Sequence, residues 1–284
     1  MNAGDIDAEV WDAFQLLANE TRLKILYALW NAPEWTATFT ELKEAVGMRD
    51  SGQFQYHLNE LAGTFVRKTD DGYTHLAGGI ALYRAMLGSV TGPETATPIS
   101  LDTACPICGA PLTLRYDHQV FDARCPDCDE TVSNAPFLRA GLENRTDSDR
   151  SKAFDAWTRR SVGLLRDGVC PWCASTVTHE FSGTGNDGTE EDDEIHITHT
   201  CDRCGGFLRT TPVENVVDHP AVVAFCYDHG IDLTETPHWE METYVAESTR
   251  LGSDDPAEVR LTIRLADDEL TLSLDEGMRV RDVE

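Results

Sequence analysis

Lysine is almost missing from this 284-residue chain: of 23 basic residues only Lys24, Lys43, Lys68 and Lys152 are lysines, and the rest are arginines. Also missing is any uninterrupted apolar run of the roughly 20 residues that a membrane-spanning helix needs. The opening stretch MNAGDIDAEVWDAFQ is acidic and has no apolar signal core. These absences predict a soluble, cytoplasmic protein with no membrane partner. The sequence also lacks a nucleophile elbow, a Walker-type phosphate loop and an HExxH pair, so a non-enzyme is expected.

What is abundant is negative charge. Fifty Asp and Glu give a formal net charge of −27, yet 41% of the residues are hydrophobic, enough to build cores. Acid excess with scarce Lys fits a protein working in concentrated salt, a halophilic setting in which a Debye length of about 3 Å at 1 M screens self-repulsion. In that setting acidity does not exclude DNA. The charge is uneven: residues 1–92 carry a net −5 and residues 93–284 a net −22. Within Thr38 to Lys68 the acids Glu41, Glu44, Asp50 and Glu60 are matched by Lys43, Arg49, Arg67 and Lys68. A neutral stretch in so acidic a chain is where a polyanion is tolerated. The length suggests about two domains, read as 1–92 and 93–284, in an α+β chain.

Up to about residue 78 the pattern reads as four helices and a hairpin. Val10, Trp11, Phe14, Leu17 and Ala18 recur at helical spacing. Asn19 is suited to cap a second helix with Leu23, Leu26, Leu29 and Trp30, with Ile25 alongside, ended by Pro33. Thr40 is the candidate cap of a third helix that Gly47 stops. Ser51 is the candidate cap of a fourth, in which Phe54, Leu58 and Leu61 form one stripe and Gln53, Gln55, Tyr56 and Asn59 face out. Strand residues Phe65–Thr69, an Asp70-Asp71-Gly72 turn and strand Tyr73–Leu76 follow, then a helix near Gly79–Leu87. This order is the layout of a winged helix-turn-helix.

Three stretches carry a resemblance to the ArsR-like winged helix regulators. NETRLKILYAL (19–29) resembles the family's second helix, SGQFQYHLNEL (51–61) its recognition helix, and YTHLAGGI (73–80) its second wing strand and following L-T-x-x-G, with Ala77 in place of Thr and Ile80 in place of Gly. The resemblance covers about residues 8–90 and implies a transcription regulator that binds double-stranded DNA as a homodimer, with Trp11, Phe14, Tyr83 and Met86 contributing to the dimer surface. It places Gln53, Gln55 and Tyr56 at base edges and His57 near the DNA backbone or in the helix core. Gln and Asn side chains suit bidentate contact with adenine; Asn59 belongs to the same face. Arg67 and Lys68 are candidates for phosphate or minor-groove contact, Arg49 is a further candidate DNA-binding residue, and Asp70 and Asp71 at the wing tip oppose them. Helix three, LKEAV, lacks the sensing cysteines of some relatives, so a small-molecule signal must enter elsewhere.

Eight of the nine cysteines form four C-x-x-C pairs. Between Cys105/Cys108 and Cys125/Cys128 lie 16 residues, and between Cys170/Cys173 and Cys201/Cys204 lie 27. Two such turns grip one tetrahedral ion, so two four-cysteine Zn2+ sites are expected in a pair of zinc ribbons with strands at Pro111–Tyr116 and Phe207–Thr211. Disulfides, thioredoxin-like chemistry and an iron-sulfur cluster are the alternatives. With all four positions filled by thiolate, such sites are structural. Cys226 reads as a buried apolar residue.

Phe154, Trp157, Val162, Leu164 and Leu165 mark a helix between the ribbons, and GTGNDGTEEDDE (183–194) an acidic, exposed hairpin tip. A helix follows near Pro220–Tyr227. Residues 258–265 and 270–274 alternate as a carboxy-terminal β-hairpin. His229 and His238 with Asp228 and Glu240 are a candidate metal or acid-base site; ordinary structural histidines are the alternative. This half is also similar to regions attached to winged helix regulators of salt-loving archaea. The leading expectation is a sequence-specific DNA-binding transcription regulator whose zinc half serves dimerisation, ligand sensing or contact with transcription machinery. The alternatives are a protein-interaction adaptor with little DNA affinity and a metal-dependent enzyme.

Overall fold

A computed structural model describes residues 8–183, 195–251 and 258–284. The chain is mixed α+β, with its helices mostly early and antiparallel sheets late, in two compact units, Met1–Thr91 and Gly92–Glu284. No helix among the described residues is long and apolar enough to cross a membrane.

The first unit runs α1 (Ala8–Leu17), α2 (Glu20–Asn31), β1 (Thr36–Ala37), α3 (Phe39–Val46), α4 (Ser51–Leu61), β2 (Val66–Thr69), β3 (Gly72–His75) and α5 (Ala77–Val90). The Asn19 side chain accepts from the Thr21 and Arg22 amides and starts α2 as expected, and Gly47, at φ 75°, ends α3. The other two caps differ. Thr38, not Thr40, begins α3 through a reciprocal pair with Glu41, and Asp50, not Ser51, begins α4 by accepting the Gln53 N–H at 2.9 Å. A carboxylate there also meets the positive end of the helix dipole.

Ile25, Leu29, Leu42, Phe54, Leu58 and Leu61 form this unit's core. Leu23 does not join it. Arg22 is buried in its stead, donating to Glu60 on α4 at 3.0 Å and to the Leu16 carbonyl at 3.1 Å. On α1 the expected residues Val10, Trp11 and Phe14 are exposed, and Ala13, Leu16 and Leu17 pack inward. The sheet has the order β1-β3-β2, and β1 was not legible in the sequence. Gly72 is required at this junction, because a Cβ there would lie 2.4 Å from the Ala37 carbonyl oxygen.

In the second unit β4 (Ile99–Ala104), β5 (Pro111–Asp117), β6 (Val120–Arg124) and β7 (Thr131–Pro136) form one antiparallel sheet in chain order. The two-residue turn between β5 and β6 places His118 and Gln119 at positive φ, which suits the sheet twist. Helix α6 (Asp147–Arg166) follows, then β8 (Val177–Ser182), β9 (His196–Cys201) and β10 (Phe207–Thr210) in the order β10-β9-β8. Apart from Gly183, the acidic run expected at 183–194 lies outside the described residues. Helix α7 (Pro220–Asp228) leads to a last antiparallel sheet of β11 (Val245–Leu251), β12 (Glu258–Leu265), β13 (Asp268–Leu274) and β14 (Val280–Val283). The expected hairpin is β12–β13, and its outer partners β11 and β14 are additional.

Phe154 on α6 is fully buried, 5.0 Å from Phe121 and stacked on Trp239 at 6.0 Å. Trp157 and Leu164, two of the apolar residues that marked this helix, are exposed, while Thr158 and Ser161 are buried. The buried face follows 154, 158, 161, 162 and 165, the spacing of one helical stripe, and apolarity alone does not reveal that two members are polar. Phe154→Ala is expected to cost about 3–5 kcal/mol and Trp157→Ala no more than about 0.5 kcal/mol, read as shifts in urea midpoint at fixed salt.

Candidate metal centres and candidate nucleic-acid face

Each of the four C-x-x-C turns closes the same way. The N–H of the first cysteine donates to the carbonyl five residues on, and its carbonyl accepts the N–H four residues on. The pairs are Cys105 with Ala110 and Gly109, Cys125 with Glu130 and Asp129, Cys170 with Ser175 and Ala174, and Cys201 with Gly206 and Gly205, all at 2.7–3.1 Å. The fourth residue after the cysteine is left-handed in every turn: Gly109, Asp129, Ala174 and Gly205 have φ between 60° and 76°. This reversal directly after the second cysteine turns the chain back on itself, and in each pair one thiol is buried and one exposed.

Two hairpin ends then meet. Sγ separations are 3.6 Å for Cys105–Cys128, 3.4 Å for Cys108–Cys125, 3.7 Å for Cys170–Cys204 and 3.5 Å for Cys173–Cys201. Within each set all four sulfurs lie within 4.8 Å of one another. Sulfurs placed tetrahedrally at about 2.3 Å from one ion stand about 3.8 Å apart, whereas a disulfide needs about 2.05 Å. The two sets therefore have the geometry of metal sites that fit zinc ribbons, and all nine cysteines are free thiols. The turn amides prepare the anionic form: the Cys128 N–H draws the Cys125 thiol down to about 7, and the Cys204 N–H draws Cys201 down to about 6. Burial together with the neighbouring thiols pushes Cys204 up to about 12. A divalent cation converts that mutual repulsion into attraction and takes all four as thiolates.

On β9, two residues before Cys201, His199 is fully buried. Its Nδ1 lies 2.9 Å from His179 Nδ1 and its Nε2 lies 2.9 Å from Thr210 Oγ1. Burial, aided by His179, pushes His199 down to about 3, so it is neutral. His229 and His238 do not form a joint site. His229 bonds Asp268 at 3.1 Å, and His238 bonds Asp155 and Ser133, each at 2.9 Å. Burial raises the Cys226 thiol, as expected of an apolar position.

On α4 the residues proposed for nucleic acid divide. Gln53, Tyr56 and Asn59 are exposed, Tyr56 to 55%. Gln55 is half-buried and donates to Asn59 Oδ1 at 2.7 Å. His57 is only 8% exposed, and its Nδ1 has no partner among the described residues. It belongs to the core side, because it falls one turn from Phe54 and Leu61. Arg49, Arg67 and Lys68 are exposed, and so are Asp70 and Asp71 between β2 and β3.

Residues 102–280 match the family described as Domain of unknown function (DUF7351), and residues 10–86 match that described as Domain of unknown function (DUF7347). No curated protein and no solved structure matches the chain.

Metal analysis is expected to give two ions per chain, with loss of both four-cysteine sheets by circular dichroism on chelation. A single ion, or a fold untouched by stripping, would contradict the geometry. Ala174→Gly is expected to stabilise by roughly 1 kcal/mol, the relief of a side chain held left-handed, and Gly205→Ala to destabilise by a similar amount, both read in denaturant titrations of the metal-loaded protein.

Proposed function

The chain belongs to the DUF7351 family, and we propose that it is a sequence-specific DNA-binding transcription regulator, built on a winged helix of ArsR-like kind and working as a dimer in high salt. The observation that carries this reading is the outward face of α4. Gln53, Tyr56 and Asn59 lie exposed on a helix whose other side is anchored by Phe54, Leu58 and Leu61. A rigid helix presenting amide side chains suits base edges in a major groove. Arg49 before the helix and Arg67 and Lys68 on β2 supply the phosphate contacts. These residues belong to a stretch in which acidic and basic residues are equal in number, so screening by salt suffices to admit DNA.

One such module reads few base pairs, and a two-fold pair on a pseudopalindrome is the expected form. Trp11 and Phe14 on α1 and Met86 on α5 are all more than half exposed and supply the apolar area for it, joined by the half-buried Tyr83. Each four-cysteine set takes Zn2+, whose preference for four thiolates in a tetrahedron suits the sulfur spacing. No coordination position is left for water, so these ions hold structure. A colourless metal-loaded protein is expected, whereas visible absorption would indicate iron and sulfide.

A second reading is favoured by one observation: Asp70 and Asp71 are exposed at the tip of the hairpin that would approach phosphate. It makes the chain a protein-interaction adaptor with little DNA affinity. The two separate on binding of the metal-loaded protein to pooled genomic fragments in molar KCl. Recovery of a common, near-palindromic fragment is expected, with roughly ten- to hundredfold weaker binding by Tyr56→Ala/Asn59→Ala, on the order of 1–3 kcal/mol. Folded protein that enriches no fragment would favour the adaptor.

A further inference from the structure

Three residues distant in sequence meet in the second unit. Asp155 on α6 accepts the backbone N–H of His238 at 2.6 Å and its Nδ1 at 2.9 Å, and Arg159 Nε donates to both carboxylate oxygens at 3.0 Å. Burial by itself would raise this carboxyl, but the His238 hydrogen bond and the Arg159 charge outweigh it and hold Asp155 below its ordinary value. An ionised carboxylate only accepts, so His238 Nδ1 carries a proton, and in the neutral imidazole Nε2 then presents a lone pair. That lone pair faces Ser133 Oγ at 2.9 Å, so the serine hydroxyl donates to it. The imidazole is 4% exposed, set edge-to-face against Phe154 and Trp239, which fixes its plane.

Ser133 is half-buried on β7, the outer strand of its sheet, and lines a cleft of about 580 Å³ shared with Pro136, Thr158, Val162 and Phe207. Thr158 is 3% exposed, and its Oγ has no partner among the described residues. It stands one helical turn beyond Asp155 on α6, so the helix that orients the histidine also brings an unsatisfied hydroxyl to the cleft. Burying that hydroxyl unpaired costs about 1–3 kcal/mol, a cost removed by an oxygen-bearing ligand.

We propose that Ser133 is an activated nucleophile for acyl transfer from a small carboxylic ester, with His238 as general base and Asp155 as the group that positions it. Ser133 Oγ bonds to the carbonyl carbon while its proton passes to His238 Nε2, and the Thr158 hydroxyl donates to the oxyanion. Collapse breaks the carbon–oxygen bond to the alkoxide, which leaves as an alcohol with the proton from Nε2. Water then attacks the acyl carbon, giving its proton to Nε2, and the carboxylic acid departs as that proton returns to Ser133 Oγ. The array is defined by geometry and not by a contiguous motif, which is how it coexists with the absence of a nucleophile elbow. It stands independently of the DNA-binding proposal.

The test is labelling of the full-length, metal-loaded protein with a fluorophosphonate probe, mapped by peptide mass spectrometry. Ser133 is expected to react at least about a hundredfold faster than exposed serines such as Ser148 in the same folded chain, the gain a positioned base supplies. His238→Gln is expected to remove that advantage and Asp155→Asn to reduce it, with circular dichroism and metal content reporting folding. p-Nitrophenyl acetate should give an acyl burst that Ser133→Ala abolishes. Labelling of wild-type Ser133 no faster than the exposed serines would overturn the proposal without any variant, as would a rate indifferent to His238→Gln in folded protein.

Discussion

Four thiolates converging on one point are the constraint on which the carboxy-terminal unit depends. Negative sulfurs 3.4–3.7 Å apart repel one another unless a cation sits among them. Each set pins ends of different strands: Cys105 follows β4, Cys125 follows β6, and Cys201 is the last residue of β9. In the sheet β8–β10 Ile197 and Leu208 are buried, with Ile195 on its approach, and Leu208 joins the core built around Phe154. Three short strands gain little stability by themselves. Metal binding at Cys170, Cys173, Cys201 and Cys204 would add folding free energy to what that core supplies. The repeated turn geometry makes the site possible, and its left-handed fourth position is tolerated at Asp129 and Ala174 where glycine would cost least.

Charge imposes a second condition. The carboxy-terminal unit has far more carboxylates than cations, and several of its cations serve local pairs. Arg166 bonds Asp167 and Asp218, Arg279 and Arg281 both reach Asp275, and Arg159 holds Asp155. With 22 more carboxylates than cations in residues 93–284, pairing cannot neutralise them all, and the repulsion left over is one that salt relieves. In the amino-terminal unit the opposite economy holds: Arg22 is buried against Glu60, while Arg49, Arg67 and Lys68 stay exposed on the surface proposed to meet DNA.

The aromatic cluster around Phe154 connects packing to chemistry. Phe121, Phe137, His238 and Trp239 all lie within 6.0 Å of it, ring centre to ring centre. Trp239 is fixed further by its indole N–H, which donates to the Thr103 hydroxyl at 3.2 Å. One hydrophobic core thus immobilises the imidazole that Asp155 orients and Ser133 touches. A histidine so placed has one tautomer and one rotamer, the preorganisation that proton transfer requires.

The eight cysteines of the two candidate metal sites were legible because the chemistry needs fixed spacing: each C-x-x-C announces a turn, and two turns announce a tetrahedral site. The apolar stripe of α4, the β2–β3 and β12–β13 hairpins and the cap at Asn19 were legible for the same reason, since their signals span a few residues. The caps at Thr38 and Asp50 were misplaced by one or two positions, because Thr38, Thr40, Asp50 and Ser51 all have capping side chains and backbone geometry chooses among them. For His57 the sequence left two places open, the DNA backbone or the helix core, and burial decides for the core. Arg22, Thr158 and Ser161 are buried where apolarity gave no sign of it; Arg22 is accepted because Glu60 arrives from α4 to pair with it. Strands β1, β11 and β14 carry too weak an alternation to be seen without the neighbour they pair with. Ser133, Asp155 and His238 are separated by 22 and 83 residues, and no local pattern couples them. Sequence alone determined the ligands, the charge and the short-range turns, because those depend on neighbours along the chain. Only the tertiary structure decided which polar groups are buried and which distant side chains meet, because desolvation and hydrogen bonding depend on neighbours in space.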